Sequence, residues 1–311
     1  MKIQWQTFLL AFFILASVSL SATFFSRSSR GNNREAALHI SAPGKIQQAA
    51  LVESAPSFGH SPVRKWDVLD PSVKTRAVLI QSLDDHFPFF HYNTYEPWPL
   101  ASLSKLITAV VVIEAIGEDA KVAVSETAVA TEGEAGGFRP GEVYRARDLL
   151  KIMLLASSND AATAFEEHLG GRAEFVKRLN RKAGELMMLK TILHDSSGLS
   201  DLNQATANDL ARLTRYILET HPEIFAWSRL ESFLVQPENA STTKTIFNIN
   251  PFAKRQSFLG GKTGTSEEAR ENLIAIFSFG KYRILMVLLG SSNRITEADK
   301  LLTWVGDAYQ F

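Results

Sequence analysis

Apolar residues divide the chain into three stretches of different character. The first is a continuous apolar run from Phe8 to Phe25, and the second, residues 26–71, is rich in Ser, Arg, Gly, Asn, Ala and Pro without a regular period. Beyond it, apolar residues recur at the spacings of strands and helices. The pattern therefore predicts an apolar N-terminal segment over residues 1–25, a flexible linker over residues 26–71 and one folded domain over residues 72–311.

Strand patterns lie near both ends of the predicted domain. KTRAVLIQSL and FPFFHYN stand at its start, while NLIAIFSF and YRILMVLLG, joined by Gly280-Lys281 as in a hairpin, stand near its end. A further strand pattern contains GGKTGT, and helical patterns fill the region between the two ends and residues 295–311. We therefore predict an α+β fold, in which both ends of the domain build a central antiparallel sheet. The terminal helix covers one face of this sheet and a helical block covers the other.

The N-terminal apolar segment indicates export from the cytoplasm. The run from Phe8 to Phe25 has 18 residues, which is just enough to span a bilayer, and it follows Met1-Lys2. Ser19-Leu20-Ser21 offers small residues for cleavage of a signal peptide. Both interpretations place the domain in the periplasm or cell envelope. Because the apolar run continues past the cleavage candidate, we favour a membrane anchor over residues 8–25.

Composition narrows the classes of function. The 33 basic and 33 acidic side chains give a formal net charge of +0, which provides no general attraction to nucleic acid. The chain has no cysteine, so disulfides and thiolate zinc sites are excluded. Its seven histidines show no His-x-x-x-His or similar pairing, and a zinc peptidase is therefore not indicated.

The stretch PLASLSKLITA, residues 99–109, places two serines before a lysine in a helix-forming run. A serine hydroxyl is a weak nucleophile and needs an adjacent base. Lys105 is three residues from Ser102 and on the same face of a helix, whereas Ser104 points about 100° away. Ser102 is therefore the candidate nucleophile and Lys105 its base, although a Ser-x-x-Lys pair alone is common and Ser102 is also a natural N-cap residue.

Two further motifs lie later in the chain. Ser157-Ser158-Asn159 precedes a helix, where each member is also a natural N-cap residue. Lys262-Thr263-Gly264 lies in a strand pattern. The preceding Gly260-Gly261 resembles the tail of a phosphate-binding loop, but that motif needs a glycine where Gln256 stands and a helix after the lysine. We therefore exclude phosphate binding.

Together the motifs complete a mechanism of acyl transfer. Lys105 can take the proton of Ser102 only when it is neutral, which requires desolvation or a second cation such as Lys262. Ser157 can pass a proton to a leaving amine, and Asn159 can hold a substrate amide. No metal or other cofactor is needed for these steps.

The strand around the third motif is the candidate substrate-binding segment. A substrate backbone can lie beside the strand at Lys262, Thr263 and Gly264, and the first two side chains suit a carboxylate. The backbone N–H groups of Ser102 and Thr265 are the candidates for stabilising an oxyanion.

The three motifs and their surroundings resemble the low-molecular-weight penicillin-binding proteins, the serine-type D-alanyl-D-alanine carboxypeptidases. The resemblance runs from about Lys74 onward and includes RPGEVYRARDLLKIMLLASSNDAATAFEEHLGG and GGKTGTSEEARENLIAIF. It implies a β-lactamase/D,D-peptidase-like fold, peptidoglycan stem peptides ending in D-Ala-D-Ala as substrates, and β-lactams as covalent inhibitors. The roles that it implies are an acylated Ser102, Lys105 as its base, Ser157 and Asn159 as the second motif, and Lys262, Thr263 and Gly264 as the third.

Other activities share parts of this pattern. A D,D-endopeptidase that cleaves peptidoglycan cross-links stays open, because the chain ends about fifty residues after Lys262 and would lack the second domain that many members carry. A β-lactamase of class A needs a Glu-x-x-Leu-Asn loop, which is not found between Asn159 and Lys262. A non-catalytic wall-binding protein is not expected to retain all three motifs. One departure is Ala269-Arg270, where the family often has Ala-Gly after the third motif.

Overall fold

A computed structural model describes residues 61–133 and 135–311 of the chain. None of the helices in these two ranges is long and apolar enough to cross a bilayer. The predicted anchor over residues 8–25 and most of the predicted linker lie outside the described residues.

Helices and strands both contribute to the described part of the chain. The strands are β1 (Val63–Arg64), β2 (Ala77–Ser82), β3 (Pro88–Tyr92), β4 (Trp98–Pro99), β5 (Lys121–Ala123), β6 (Val143–Arg145), β7 (Gln204–Ala205), β8 (Ser232–Val235), β9 (Lys244–Phe247), β10 (Phe258–Ser266), β11 (Arg270–Phe279), β12 (Tyr282–Ser291) and β13 (Tyr309–Gln310). The α-helices are α1 (Lys105–Ile116), α2 (Glu126–Val129), α3 (Ala146–Leu155), α4 (Asn159–His168), α5 (Arg172–Glu185), α6 (Ala207–Thr220), α7 (Glu223–Ser228) and α8 (Arg294–Ala308). Two 3₁₀ turns, Ala101–Ser104 and Pro251–Lys254, complete the list.

The central sheet has five antiparallel strands in the order β10-β11-β12-β2-β3. Strands β2 and β3 come from the start of the domain and β10 to β12 from its end. The two ends meet where Leu79 of β2 lies opposite Val287 of β12. The predicted sheet and its origin in both ends of the domain are therefore confirmed.

Both faces of the sheet are buried, and this explains the continuous apolar runs of its strands. Val78 and Met286 point to one face and pack with residues of α8 such as Trp304. Leu79 and Val287 point to the other face and pack with the helical block formed by α1 and α3 to α6. The layered α+β arrangement predicted from the sequence is thus observed.

The folded domain begins before the predicted boundary at residue 72. Val63 of β1 pairs with Gln310 of β13, and the Arg64 guanidinium lies 5.1 Å from the ring centre of Trp304 and 5.6 Å from that of Tyr309. Residues 63–70, which the composition assigns to the linker, therefore belong to this fold at its start. A two-residue strand is too short to leave a period in the sequence. The helix predicted over residues 295–311 likewise ends at Ala308, because Tyr309 and Gln310 form the equally short strand β13.

Asn272 connects the sheet to the turn that carries Ser102. Its fully buried side chain donates hydrogen bonds to the carbonyl oxygens of Pro99 (2.8 Å) and Leu100 (3.1 Å), and accepts one from the N–H of Gly290 (2.9 Å). One side chain therefore satisfies three backbone groups and holds the chain just before Ser102 against β11.

Replacement of Asn272 by alanine is expected to lower the free energy of unfolding by about 2–4 kcal/mol, because buried backbone groups lose their partners. Urea denaturation measures this change. The half-buried Asn208 donates one side-chain bond, to Thr94 at 3.2 Å, and Asn208→Ala is the control, with an expected loss below about 1 kcal/mol. Equal losses in the two variants would contradict the role given to Asn272.

Candidate active site

The structure brings the first motif together as a compact Ser102–Lys105 pair. Ser102 lies half-buried in the 3₁₀ turn, and Lys105 begins α1 with its side chain fully buried. The Nζ atom of Lys105 lies 2.9 Å from Oγ of Ser102, 2.7 Å from Oδ1 of Asn159 and 2.6 Å from the carbonyl oxygen of Ser197. These distances are suitable for proton transfer between Ser102 and Lys105.

The surroundings of Lys105 favour its neutral form. Burial lowers the pKa of Lys105 to about 7, although the nearby Asp195 and Asp160 carboxylates act in the opposite direction. A neutral amine has two N–H groups and one lone pair. Since Asn159 and Ser197 each offer an acceptor for one N–H, the lone pair is left for the hydroxyl of Ser102.

The side chain of Ser104 holds the local fold together. Its hydroxyl is buried, donates to the carbonyl oxygen of Ala101 (3.1 Å) and accepts from Nδ2 of Asn203 (3.0 Å). The distinction between the two serines, predicted from helix geometry, therefore agrees with their contacts.

The second motif faces the first and third. Oγ of Ser157 lies 3.0 Å from Nζ of Lys262, and Ser157 has a φ of 58°, in the left-handed region that is uncommon for non-glycine residues. Ser158 is the N-cap of α4, so the capping role applies to the middle residue only. Besides accepting from Lys105, Asn159 donates from Nδ2 to the carbonyl oxygen of Glu132 (2.8 Å), which leaves one N–H of its amide group for a ligand.

The third motif lies on β10, at the edge of the sheet and beside the turn of Ser102. Lys262 and Thr263 are buried, while Thr265 is exposed. A Cβ atom added to Gly264 would lie 2.8 Å from the carbonyl oxygen of Leu100 and 3.2 Å from the nitrogen of Ser102. Glycine at this position therefore lets the strand approach the nucleophile turn, which places the backbone of Thr265 close to that of Ser102.

Lys262 is a second buried lysine in the same site. Burial lowers the pKa of Lys262, and the positive charges of Lys105 and Arg294 lower it further. Its Nζ atom donates to the carbonyl oxygen of Thr263 (2.8 Å) and lies within hydrogen-bond distance of Ser157. A substrate carboxylate at this position would favour the charged form of Lys262.

Arg294 is a site residue that the sequence analysis missed. From the start of α8, its Nη1 atom donates to the carbonyl oxygen of Gly264 and to Oγ1 of Thr265, both at 2.7 Å. It therefore adds a guanidinium group beside the third motif. No spacing rule connects it to Lys262, because the two meet only through the pairing of β10, β11 and β12.

The loop HDSSGLSD, residues 194–201, was also missed as part of the site. Oδ1 of Asp195 accepts from the N–H groups of Ser197 (2.8 Å) and Gly198 (2.5 Å), and Oδ2 accepts from that of Ser200 (2.6 Å). This turn directs the carbonyl oxygen of Ser197 to Lys105. An aspartate followed by Ser-Ser-Gly is typical of an Asx turn, and this was the signal available in the sequence.

Glu166 supports the same loop from α4. Its buried carboxylate accepts from the N–H (2.9 Å) and the hydroxyl (2.8 Å) of Ser196 and forms an ion pair with Arg172 (3.1 Å).

Within residues 61–133 and 135–311, no three His, Asp or Glu side chains are grouped as they would be to hold a metal ion.

Arg270, which stands where the resembled family often has glycine, is the first residue of β11 and follows the turn from β10. Arg270 has a φ of 56°, in the left-handed region that favours glycine, and Nε1 of Trp98 donates to the neighbouring carbonyl oxygen of Ala269 (2.9 Å). This chain therefore places an arginine in a backbone conformation that suits the glycine often found there in the family.

An antiparallel sheet between a terminal helix and a helical block, with a lysine beside the candidate serine, defines the class of penicillin-interacting serine enzymes. The family model described as D-alanyl-D-alanine carboxypeptidase (peptidase family S11) matches residues 89–293. The chain belongs to this family, and the resemblance noted in the sequence is thereby confirmed.

Individual relatives agree with this family. The chain is 29% identical over 272 residues to the D-alanyl-D-alanine carboxypeptidase DacF of Bacillus subtilis, a match that covers 84% of this chain and 69% of the relative. It is 30% identical over 216 residues to a D-alanyl-D-alanine endopeptidase of Pseudomonas aeruginosa, covering 67% of this chain and 69% of the relative. The cefotaxime-bound crystal structure of penicillin-binding protein D2 from Listeria monocytogenes has a TM-score of 0.67 and 26% identity, covering 76% of this chain and 99% of that one.

Replacement of Ser102 by alanine is expected to abolish covalent labelling by benzylpenicillin, because the acylated oxygen is removed. Ser104→Ala is the matched control and should retain most of the labelling, since the Ser104 hydroxyl is hydrogen-bonded to Ala101 and Asn203 and, among the described residues, to no group of the three motifs. Intact-protein mass spectrometry detects the adduct. Equal loss of labelling in both variants would contradict the assignment.

The rate of acylation by benzylpenicillin is expected to rise with pH around a midpoint of about 7, because only neutral Lys105 can accept the proton of Ser102. The charges that act on Lys105 include those of Asp195 and Asp160, and the buried Lys262 amine lies in the same site. Because the negative charge of Asp195 raises the pKa of Lys105, Asp195→Asn should move the midpoint to lower pH.

Asp209→Asn is the control for this pH profile. The Asp209 carboxylate is also buried, but it accepts hydrogen bonds from Lys190 and Thr191 and is not among the charges that act on Lys105. Stopped-flow acylation measurements across the neutral range give both midpoints. A midpoint that moves upward in Asp195→Asn, or that moves equally in both variants, would refute the account.

Proposed function

We propose that the protein is a serine D,D-peptidase of peptidoglycan metabolism that removes the terminal D-Ala from stem peptides through an acyl-enzyme on Ser102. The observation that carries this proposal is the 2.9 Å distance between Nζ of the buried Lys105 and Oγ of Ser102. The name of the Bacillus subtilis relative supports the same activity.

Acylation begins when Lys105 takes the proton of the Ser102 hydroxyl and the oxygen attacks the carbonyl carbon of the penultimate D-Ala. The backbone N–H groups of Ser102 and Thr265 stabilise the oxyanion that forms. Ser157 passes a proton to the amine of the terminal D-Ala as the C–N bond breaks, and the proton that Lys105 took from Ser102 replaces it, which leaves Lys105 neutral again. This amine leaves as free D-Ala, and the rest of the stem peptide stays bound to Ser102 as an ester.

Deacylation reverses these roles with water as the nucleophile. Lys105 takes a proton from water, the hydroxide attacks the ester carbonyl, and the proton returns to Oγ of Ser102 as the ester bond breaks. The products are the shortened stem peptide and free Ser102. No group from outside the chain other than water takes part in this sequence.

Three groups are placed to bind the carboxylate of the terminal D-Ala. Lys262 and Thr263 lie on β10, and Arg294 reaches the same strand from α8. Hydrogen bonds from charged donors to a carboxylate are stronger than neutral ones, and a substrate with a free C-terminus therefore gains most from this arrangement.

β-Lactams fit the same sequence of steps. The carbonyl of their strained amide faces Ser102, and their separate carboxylate group faces Lys262. The amine released on ring opening remains attached to the acyl group. The Listeria monocytogenes neighbour was solved with cefotaxime bound.

We place the domain outside the cytoplasm, held by the apolar segment over residues 8–25 or released after its cleavage.

Release of D-Ala from a synthetic pentapeptide ending in D-Ala-D-Ala tests the proposed activity. The purified protein should release D-Ala, while Ser102→Ala should lower the rate at least about a thousandfold. Undiminished release in Ser102→Ala, with loss of activity on chelation, would favour a zinc peptidase instead. Rapid turnover of nitrocefin without a lasting acyl-enzyme would favour a β-lactamase.

A further inference from the structure

The backbone of residues 65–70 is fixed along α8. The N–H of Lys65 donates to the carbonyl oxygen of Ala308 (2.8 Å). Four positions earlier on the same helix, Nε1 of Trp304 donates to the carbonyl oxygen of Leu69 (2.8 Å). Residues four apart lie on one face of a helix, so the segment follows this face of α8.

Arg64 of β1 holds the same segment in shape. Its guanidinium donates to the carbonyl oxygens of Lys65 and Val68 (the latter at 2.6 Å) and forms an ion pair with Asp70 (3.0 Å). The N–H of Val68 also donates to the carbonyl oxygen of Lys65 (3.3 Å), which closes a turn. Residues 65–70 are therefore fixed largely through their backbone.

Two large apolar side chains project from this fixed segment. Trp66 and Leu69 are each 84% exposed, more than any other large apolar residue that the structure describes. Val63 and Phe311 are exposed beside them, since Val63 pairs with Gln310, the neighbour of Phe311. Singly exposed apolar side chains are common on proteins, but a cluster of them marks an interaction site. We call Val63, Trp66, Leu69 and Phe311 the Trp66 patch.

The Trp66 patch carries no excess charge. Residues 63–70 contain two basic side chains, Arg64 and Lys65, and two acidic ones, Asp67 and Asp70. Arg64 is paired with Asp70, and Lys65 and Asp67 stand on either side of Trp66. A polyanion or an anionic lipid surface would favour an excess of basic side chains. The chemistry of the patch therefore fits an apolar partner.

The position of the patch in the chain indicates which apolar partner is at hand. In the membrane-anchored form of the proposed function, residues 8–25 hold the chain in the bilayer, and residues 26–62 connect them to the patch. A flexible linker of this length has a root-mean-square end-to-end distance of about 35 Å. Such a tether raises the effective concentration of the bilayer at the patch, so that even a weak contact is populated.

A second copy of the chain fits the patch less well. A stable protein–protein interface buries about 800 Å² per partner, whereas one aromatic side chain buries about 150–250 Å². The four side chains of the patch fall short of this area. Tryptophan is moreover enriched at membrane–water interfaces, because its ring is apolar and its N–H is polar.

We propose that the Trp66 patch docks the folded domain on the lipid bilayer, with the side chains of Trp66 and Leu69 entering the membrane interface. The inference rests on the membrane-anchored form of the proposed function. It adds a second membrane contact, which the folded domain makes itself.

Docking by this patch sets the orientation of the active site. Tyr309 of β13, next to the patch, donates from its hydroxyl to the carbonyl oxygen of Phe89 on β3 (2.7 Å). Strand β3 is one edge of the central sheet, and β10, which carries the third motif, is the other edge. A domain docked on the side of β3 therefore keeps Ser102 and β10 away from the lipid, where stem peptides reach them.

The test uses the full chain reconstituted in phosphatidylcholine vesicles. Because the chain has no cysteine, Leu69→Cys gives a single thiol that takes a fluorescent label. Two quenchers report the surroundings of the label, aqueous iodide and a nitroxide-labelled phosphatidylcholine. The nitroxide lipid should quench the label at residue 69, and its iodide quenching constant should be at least about threefold below that of the control, because the label lies in the membrane interface.

Leu234→Cys is the matched control for the label. Leu234 is 68% exposed on the hairpin of β8 and β9 and does not belong to the patch. A label at this position should be quenched freely by iodide and not by the nitroxide lipid. Equal behaviour at the two positions would overturn the inference, as would failure of the full chain to associate with the vesicles.

A second substitution tests the contribution of Trp66. In the Leu69→Cys protein, Trp66→Ala should raise the iodide quenching constant at least about twofold, because the larger apolar side chain is lost from the contact. Phe247→Ala removes an exposed aromatic side chain from β9 and should leave the constant unchanged. Protection from iodide that requires anionic lipid, or that is lost in high salt, would contradict an apolar contact.

The remaining outcomes separate this inference from the proposed activity. Protection from iodide without quenching by the nitroxide lipid would show that protein, such as a second copy, covers the patch, and would overturn the inference. Each variant should retain benzylpenicillin labelling and D-Ala release within about twofold of the wild-type values, because no residue of the patch belongs to the three motifs. Loss of the membrane contact with both activities retained would leave the proposed peptidase intact. A wild-type protein that docks but has neither activity would overturn the proposed peptidase and not the docking.

Discussion

The burial of Lys105 at the first residue of α1 is the constraint on which the rest of the site depends. Burying a charged ammonium group away from water is unfavourable in free energy. The pKa of Lys105 is therefore lowered, and two acceptors and one hydroxyl surround its Nζ atom. Each acceptor comes from a different segment, Asn159 from the second motif and Ser197 from the loop shaped by Asp195. The position of one amine therefore explains why three distant parts of the chain meet.

Close backbone approach is the second requirement, and glycine meets it at two positions. A Cβ atom on Gly198, which has a φ of 86°, would lie 1.8 Å from the carbonyl oxygen of Ala101, and one on Gly264 would crowd Leu100 and Ser102. Ala101 and Ser157 themselves have positive φ values of 47° and 58°. Two of the six described non-glycine residues with positive φ thus lie at the nucleophile turn and at the proton donor, and such conformations are common at functional sites.

Much of this arrangement was predictable from the sequence, because it follows from local patterns. The apolar runs of β2, β11 and β12 predicted the central sheet. The three-residue spacing of Ser102 and Lys105 predicted that their side chains lie on the same face of a helix. Arg294 was not predictable, since it reaches the site only through tertiary contacts that leave no period or spacing. The short strand β1 was not predicted, because two residues carry no periodic pattern. The role of Asp195 was not predicted either, because its loop has the composition of an ordinary turn.

The protonation state of Lys105 is the most direct test of this account. NMR of protein carrying isotope-labelled lysine, with the Lys105 signal assigned by comparison with Lys105→Arg, follows the charge of this one amine as pH changes. The account predicts a transition of Lys105 at a pH of about 7. A transition near the ordinary lysine pKa of about 10.4 would show that Lys105 is charged at neutral pH, and would contradict its role as the base.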